Sequence, residues 1–579
     1  MTSRELARTA GIGAPGAALP RRPEPGAGRA GVGGWPFFRG PWSPWSIGAV
    51  AIAVLLSVPI VVVAVGAFAP ADGVWSHLAS TVLPEYLRNS LILVIGSGSL
   101  ALVVGVSTAW LVATHDFPGR RIFEWALVLP LSVPAYIAGY TYAGMLDVTG
   151  PLQRAARALI PALSDRFIVI PIMRIETMVL IFALVLYPYV YLVARTAFLG
   201  QSRTALEASW TLGRSGWAAF FRVALPLARP ALAAGVSLVV MEVLNDYGAV
   251  QYYGVSTFTT GIFRSWHALG NLDAAIRLSA FLMVFVFVVL AIERTLRRGR
   301  RVDSGSASHR PLMRRKLRGR HAAAAFLVCL APVLLGFLVP VAQLGYWAVR
   351  TAADVVDLGY LRLVANSFLL AGTAGLLCVV LALVLAYAAR LSRSRAMNAV
   401  SRVAVLGYSI PGAVIAVGVL IPAGWLDRHI DAAAQLLFGI PTGLLLSGTL
   451  VALVFGYVVR YAAVALLPLE AGFEHQCRNL DEASRSLGEP PLRTLGRVVL
   501  PLRRRTLLAA AILVFVDVMK EIPLTLSLRP FNFDTLATRS YQLAMDEQVA
   551  ESASAALVVI ATGLLPVIGL DRLLSRSAS

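Results

Sequence analysis

Two short runs place ionisable side chains inside apolar sequence. The first is Glu242-Val243-Leu244-Asn245-Asp246-Tyr247-Gly248, and the second is Asp517-Val518-Met519-Lys520-Glu521-Ile522-Pro523. A charged group within a membrane span costs about 2.5 to 3.5 kcal/mol on insertion scales, so such residues face a bundle interior or a wet path. Glu242 and Asp246 are four apart, as are Asp517 and Glu521, so each pair shares one helix face. Carboxylates suit hard cations, and Tyr247, Tyr252 and Tyr253 would add phenol oxygens. Glu242, Asp246, Tyr247, Asp517, Lys520 and Glu521 are therefore candidates for the lining of a translocation path. Within that set Glu242, Asp246, Asp517 and Glu521 are candidate transient metal contacts. The alternative is that Lys520 neutralises Asp517 or Glu521 and the group fixes helix packing, because a stable carboxylate cage traps a highly charged ion that transport must release.

A second repeated feature lies upstream of each run. Glu207-Ala208-Ser209-Trp210-Thr211-Leu212-Gly213 precedes Leu225-Pro226, and Glu482-Ala483-Ser484-Arg485-Ser486-Leu487-Gly488 precedes Leu500-Pro501 with the same internal spacings. The Glu-Ala-Ser start favours helix, and Gly213 and Gly488 suit the left-handed position that ends one. Small residues at Ala208, Ser209, Ala483 and Ser484 permit close approach of a partner, with Trp210, Leu212 and Leu487 as apolar anchors. An interfacial helix that only closes a loop explains one such copy, but not two with equal spacings.

The elements that must position these residues are membrane spans. Of 579 residues 58% are hydrophobic and 14% charged, with a mean hydropathy of +0.73. Apolar runs of the length needed to cross a hydrocarbon core recur along the chain. We expect them at about 46–68, 88–113, 122–146, 176–199, 230–250 and 276–296, then at 322–348, 365–389, 398–424, 441–467, 506–528 and 553–574. This predicts an all-α polytopic membrane protein with about 12 transmembrane helices in two parallel six-helix repeats. Asn89-Ser90 answers to Asn366-Ser367, and Ser132-Val133-Pro134 to Ser409-Ile410-Pro411. Pro130, Pro134, Pro411 and Pro523 mark bends, which either expose carbonyls to a path or only kink the packing. The expected units are a disordered basic tail at 1–45, a first domain at 46–296 with its polar loop at 200–229, a basic linker at 297–321, and a second domain at 322–574 with its loop at 468–505. Arginine concentrates in the tail, the linker, both repeated loops and the segments with Arg120, Arg121, Arg390, Arg393 and Arg395, which puts that face and both termini in the cytoplasm. The opposite loops are more balanced, with Asp354, Asp357, Asp427, Asp431, Asp534 and Asp546.

Several functions are disfavoured. The formal charge of +20 is spread over short loops beside apolar spans, which topology and an anionic leaflet explain without nucleic acid. Only two lysines occur, Lys316 and Lys520, neither after a glycine-rich loop, so ATP hydrolysis through a P-loop is not expected. Cys329, Cys378 and Cys477 show no pairing or metal spacing, and the seven histidines form no close pair.

Glu-Ala-Ser-x-x-Leu-Gly followed by Leu-Pro resembles the EAA loop of binding-protein-dependent ABC importer permeases, with Ser where that family has Ala at the third position. The run from Asp517 to Thr538 resembles the fused ferric-iron permeases. The resemblance covers essentially 46–574. It implies the type I importer permease fold in the inner membrane, with Glu207, Ala208, Ser209, Gly213, Glu482, Ala483, Ser484 and Gly488 docking two copies of a cytoplasmic ATPase. It implies ferric ion as cargo, a periplasmic or lipoprotein binding protein as donor, ATP on the partner and no cofactor on this chain, which is then not itself an enzyme. Thiamine, a phosphonate or a polyamine are alternative cargoes, and an ion-coupled secondary transporter is the more remote alternative.

Overall fold

The computed structural model describes residues 43–70, 73–159, 171–200, 217–297, 314–392, 394–474, 483–484 and 486–576. Almost all of them are helical. Among the described residues ten helices are long and apolar enough to cross a membrane, and an eleventh span arises if the pair Arg120–Ser132 and Ala135–Leu159, bent by 88°, counts as one. The helix Leu500–Met519 completes the second half, with Arg503, Arg504 and Arg505 near its start. The protein is thus a polytopic all-α membrane protein.

The repeat is plain in the helix starts. Leu83–Thr114 corresponds to Leu358–Ser392, Ile175–Gly200 to Leu450–Glu474, Leu225–Asn245 to Leu500–Met519 and Gly248–Tyr252 to Pro523–Leu528, each pair starting 275 residues apart. Even a defect is repeated, since one π-turn at Phe220–Ala224 and another at Leu495–Val499 precede Leu225-Pro226 and Leu500-Pro501. Proline lacks an N–H and crowds the carbonyl four residues back, and a π-turn relieves that clash without ending the helix.

Four expected spans are not single helices. The segment 122–146 divides into Arg120–Ala126, a 3-10 turn at Leu129–Ser132 and Ala135–Leu146, and 398–424 divides likewise into Arg395–Ala404, Leu406–Ser409 and Gly412–Phe438. Pro134 and Pro411 sit as the caps of the helices that follow, the place where a missing N–H is harmless. The segments 230–250 and 506–528 break after Asn245 and Met519. Asp427 and Asp431 belong to the Gly412–Phe438 helix rather than to a loop, and accept N–H bonds from Leu445, Leu446 and Ser447, and from Thr442 and Gly443, respectively.

The halves are interlocked. Pro44–Gly66 packs on Leu358–Ser392, Arg395–Ala404 and Gly412–Phe438 of the second half, while Arg320–Val355 packs on Leu83–Thr114, Arg120–Ala126 and Ala135–Leu146 of the first. Glycine permits both crossings: a Cβ on Gly418 would collide with the Pro59 backbone, and one on Gly336 with the Leu184 carbonyl. Rings meet edge to face at both crossings, Trp45 with Tyr387 at 5.0 Å and Phe123 with Phe326 at 5.2 Å.

The basic linker does not run free to the second half. Its end forms a strand, Arg315–Lys316, paired in parallel with His115–Asp116, and this is the only sheet among the described residues. Beside it the Glu124 carboxylate accepts Arg120 Nη1 at 2.5 Å and Arg195 Nη2 at 3.3 Å, with Arg314 Nη2 at 3.8 Å. Residues 1–42 and 298–313, which carry the tail and most of the linker, lie outside the described residues.

Candidate functional site

At each break a carboxylate replaces the helix hydrogen bonds that are lost. The backbone turns extended at Asp246, whose Oδ1 accepts the N–H groups of Ala249 at 2.9 Å and Val250 at 3.2 Å and so caps the Gly248–Tyr252 helix. Glu521 does the same in the second half, its Oε1 accepting Leu524 N at 3.2 Å at the start of Pro523–Leu528. The loops that follow are anchored alike. Asn89 Nδ2 donates to the Ser256 carbonyl at 2.9 Å, Leu536 N donates to Ser367 Oγ at 2.8 Å, and capping boxes Thr257/Thr260 and Thr535/Thr538 open the next helices.

The two breaks meet around one cavity of about 110 Å³. Glu242, Asp246, Tyr247, Asp517, Lys520 and Glu521 all line it, with Pro134, Pro411 and Pro523. Tyr252 and Tyr253 do not, and Tyr253 instead donates to the Gly139 carbonyl at 3.1 Å. Asn245 joins the halves at this level, its Oδ1 accepting Gly412 N at 2.9 Å. Close approach of the two breaks requires glycine, since a Cβ on Gly412 would strike the Arg460 guanidinium and the Glu521 carboxylate, and one on Gly248 would lie 3.0 Å from Tyr136 Cβ.

Charge within the cavity is paired unevenly. Arg460 Nη1 donates to Glu521 Oε1 at 3.1 Å, Tyr461 OH donates to Glu521 Oε2 at 2.7 Å, and Lys520 Nζ lies 3.0 Å from Asp517 Oδ1. Glu242 has no direct ion pair among the described residues and accepts the Tyr189 hydroxyl at 3.3 Å. Arg460, Tyr461, Tyr189, Tyr136 and Tyr408 line the site and escaped the reading of the acidic runs. Arg460 had a signal: an arginine inside the apolar run Val458-Val459-Arg460-Tyr461 is as costly as the carboxylates that attracted notice. Among the described residues no group of three or more His, Cys, Asp or Glu side chains could hold a metal ion, so the acids form a lining rather than a cage.

Of the repeated polar loops, Glu207, Ala208, Ser209, Gly213 and Glu482 lie outside the described residues. Ala483, Ser484 and Gly488 are described. Gly488 has φ +85°, the left-handed conformation, while Leu487 N donates to the Ala483 carbonyl at 3.1 Å and Glu489 N to that of Ser484 at 3.2 Å. Ser484 Oγ is 3.0 Å from Thr494 Oγ1, tying this turn to the segment that leads into Leu500–Met519, and Leu487 is 84% exposed.

This fold, with two equivalent halves and a charged cavity between their breaks, is that of a membrane permease. The profile of the binding-protein-dependent transport system inner membrane component matches residues 378–579. The chain is 26% identical over 495 residues to the Fe(3+)-transport system permease protein FbpB 2 of Haemophilus influenzae, covering 84% of this chain and 89% of that one. It is 30% identical over 215 residues to the sulfate transport system permease protein CysW of Escherichia coli, 36% of this chain and 70% of that one. It is 25% identical over 195 residues to the molybdate/tungstate transport system permease protein WtpB of Thermococcus kodakarensis, 34% of this chain and 70% of that one. The chain belongs to the family of inner membrane components of binding-protein-dependent transport systems, and is the multi-pass permease part of an ABC importer.

Proposed function

We propose that this chain forms the whole pore of an ATP-driven importer of ferric iron, in the bacterial inner membrane with both termini in the cytoplasm. ATP is bound and hydrolysed by a separate ATPase, one copy under each polar loop, at Glu207, Ala208, Ser209 and Gly213 and at Glu482, Ala483, Ser484 and Gly488. A periplasmic or lipoprotein binding protein delivers the ion, and the chain itself carries no cofactor. The working units are the domains 46–296 and 322–574, joined by the linker that ends in the Arg315–Lys316 strand.

The observation that carries this reading is the cavity: four carboxylates against two bases, where two equivalent broken helices meet. The long match to an Fe(3+) permease supports the same cargo. The sulfate and molybdate relatives favour a second reading, an oxyanion held by Arg460 and Lys520. Both cations are already engaged, by Glu521 and Asp517, and an acidic excess repels an anion. Closure of the ATPase would move the Ser484–Thr494 turn, and with it the Leu500–Met519 helix that ends at the cavity, a rigid-body change between two accessible states.

The test is reconstitution of the permease with its ATPase, offering the cognate binding protein loaded in turn with ferric ion, sulfate, molybdate, thiamine, a phosphonate or a polyamine. Stimulated ATP hydrolysis and uptake with ferric ion alone is the expected result. Stimulation by another cargo without ferric ion overturns the assignment, and uptake that ignores ATP but collapses with an uncoupler points to a secondary transporter.

A further inference from the structure

The two halves present equivalent carboxylates to the cavity but not equivalent charge. Asp517 is held by Lys520 at 3.0 Å and Glu521 by Arg460 at 3.1 Å, with the Tyr461 hydroxyl on its other oxygen. The first half has nothing comparable, because Val185 and Leu186 stand where the repeat puts Arg460 and Tyr461, and Asn245 stands where it puts Lys520. Asp246 is occupied as the cap of the Gly248–Tyr252 helix. Among the cavity's carboxylates Glu242 alone has neither a direct ion pair nor a capping duty: it accepts the Tyr189 hydroxyl at 3.3 Å, while Lys520 and Arg460, each bonded to another carboxylate, act on it only through space. A second, independent feature points into the same space: Tyr136 is 4% exposed, lines the cavity and has no hydrogen-bond partner for its hydroxyl. A buried hydroxyl without a partner is costly, and a ligand oxygen or metal ion that enters the cavity relieves the cost.

We propose that ferric ion is contacted from one side, by the Glu242 carboxylate with the phenols of Tyr189 and Tyr136, and that Asp517 and Glu521 are neutralised structural groups. This rests on the ferric reading above and names the residues that carry it. One free carboxylate and neutral phenols attract a hard trivalent ion without caging it, and passage requires that the ion leave again. Relatives that move oxyanions would have no use for such a carboxylate, so Glu242 is also a specificity residue.

The experiment measures radioactive ferric-ion uptake and binding-protein-stimulated ATPase in proteoliposomes for wild type, Glu242→Gln, Glu242→Asp and the double variant Asp517→Asn with Lys520→Met. Emission of terbium(III) sensitised by nearby tyrosines is measured on the same permeases in nanodiscs, as a readout of hard trivalent binding that does not require transport. Glu242→Gln is expected to lower uptake about tenfold or more and to abolish sensitised emission; Glu242→Asp restores emission and part of the uptake, and the double variant retains more uptake than Glu242→Gln. Uptake in Glu242→Gln within about twofold of wild type, or a loss in the double variant as deep as in Glu242→Gln, overturns the inference. A wild type that moves another cargo and no iron overturns the ferric reading itself, and this inference with it.

Discussion

Replacing Arg460 by methionine strands Glu521, and the arrangement around that carboxylate sets the size of the effect. The side chains of Arg460 and Glu521 are only 8% and 6% exposed, so solvent screens the pair little. Removing one partner of a buried ion pair costs about 3 to 5 kcal/mol, because the other charge stays buried alone. Tyr461→Phe removes one hydrogen bond to the same carboxylate and should cost about 1.5 to 3 kcal/mol. Combining Arg460→Met with Glu521→Gln removes both charges, and the amide oxygen can still accept the Leu524 N–H, so the double variant should be more stable than Arg460→Met alone. Thermal denaturation of the purified permease in one lipid nanodisc, at one heating rate, ranks the four proteins. The expected order of loss is Arg460→Met first, then Tyr461→Phe, with the double variant recovering part of the deficit. If Arg460→Met is no worse than Tyr461→Phe, or if the double variant is as unstable as Arg460→Met, the pair is not the lock on the second break that its geometry indicates.

Two further outcomes test features outside the cavity. Gly488→Val places a β-branched residue at φ +85°, which should cost about 1 to 3 kcal/mol locally and reduce co-purification of the ATPase with the permease, while ligand-free folding measured by size exclusion is kept. Burial, followed by the charge of Arg315, holds the His115 pKa below its ordinary value of 6.5. The folded state therefore favours the neutral ring, so this contribution is complete above about pH 6.5 and is lost as pH falls through that value toward the lowered one. A disulfide between cysteines placed at Asp116 and Lys316, in a background lacking Cys329, Cys378 and Cys477, should accordingly lose more yield between pH 7.5 and pH 5.5 than the same protein carrying His115→Gln, since the fall in thiolate is common to both. Equal losses in the two proteins would show that the strand pair does not depend on neutral His115.

The spans were legible because twenty apolar residues in a row have few other uses, and the repeat because Leu-Pro and Glu-Ala-Ser recur at fixed spacing. The breaks were legible only in part. Pro134, Pro411 and Pro523 announce theirs, but the break after Asn245 has no proline, and it is the Asp246 side chain, through its bonds to Ala249 and Val250, that opens a new helix there. Hydropathy ran 230–250 straight through that point, since it measures the cost of leaving water and not the geometry of hydrogen bonding. The crossing of Pro44–Gly66 and Arg320–Val355 onto opposite halves was invisible for another reason: a helix apolar on every side carries no mark of which neighbour it will meet. The strand at Arg315–Lys316 is two residues long, too short for any period to show. Gly488, in contrast, was readable, because a helix end needing a left-handed residue has few candidates and a glycine stood at that place.

A symmetric frame around an unsymmetric cavity has a mechanical consequence. The crossed helices pack each half against the other, which favours a rotation about the region where they meet over a parting of the halves. The Asn245–Gly412 bond lies there and joins the first break to the turn that opens the Gly412–Phe438 helix. The second break is tied by the ion pairs of Arg460 and Lys520 and by Tyr461, whereas the first has no ion pair and is held by the Asp246 cap, the Thr259 hydroxyl on the Asp246 carbonyl, the Asn245 bond and the Tyr189 contact to Glu242. Under one rotation the more weakly tied side deforms more. On the proposed ferric reading, the half that bears Glu242 is therefore the half expected to change more between states, which would couple release of a cation to motion without altering the charge of any residue.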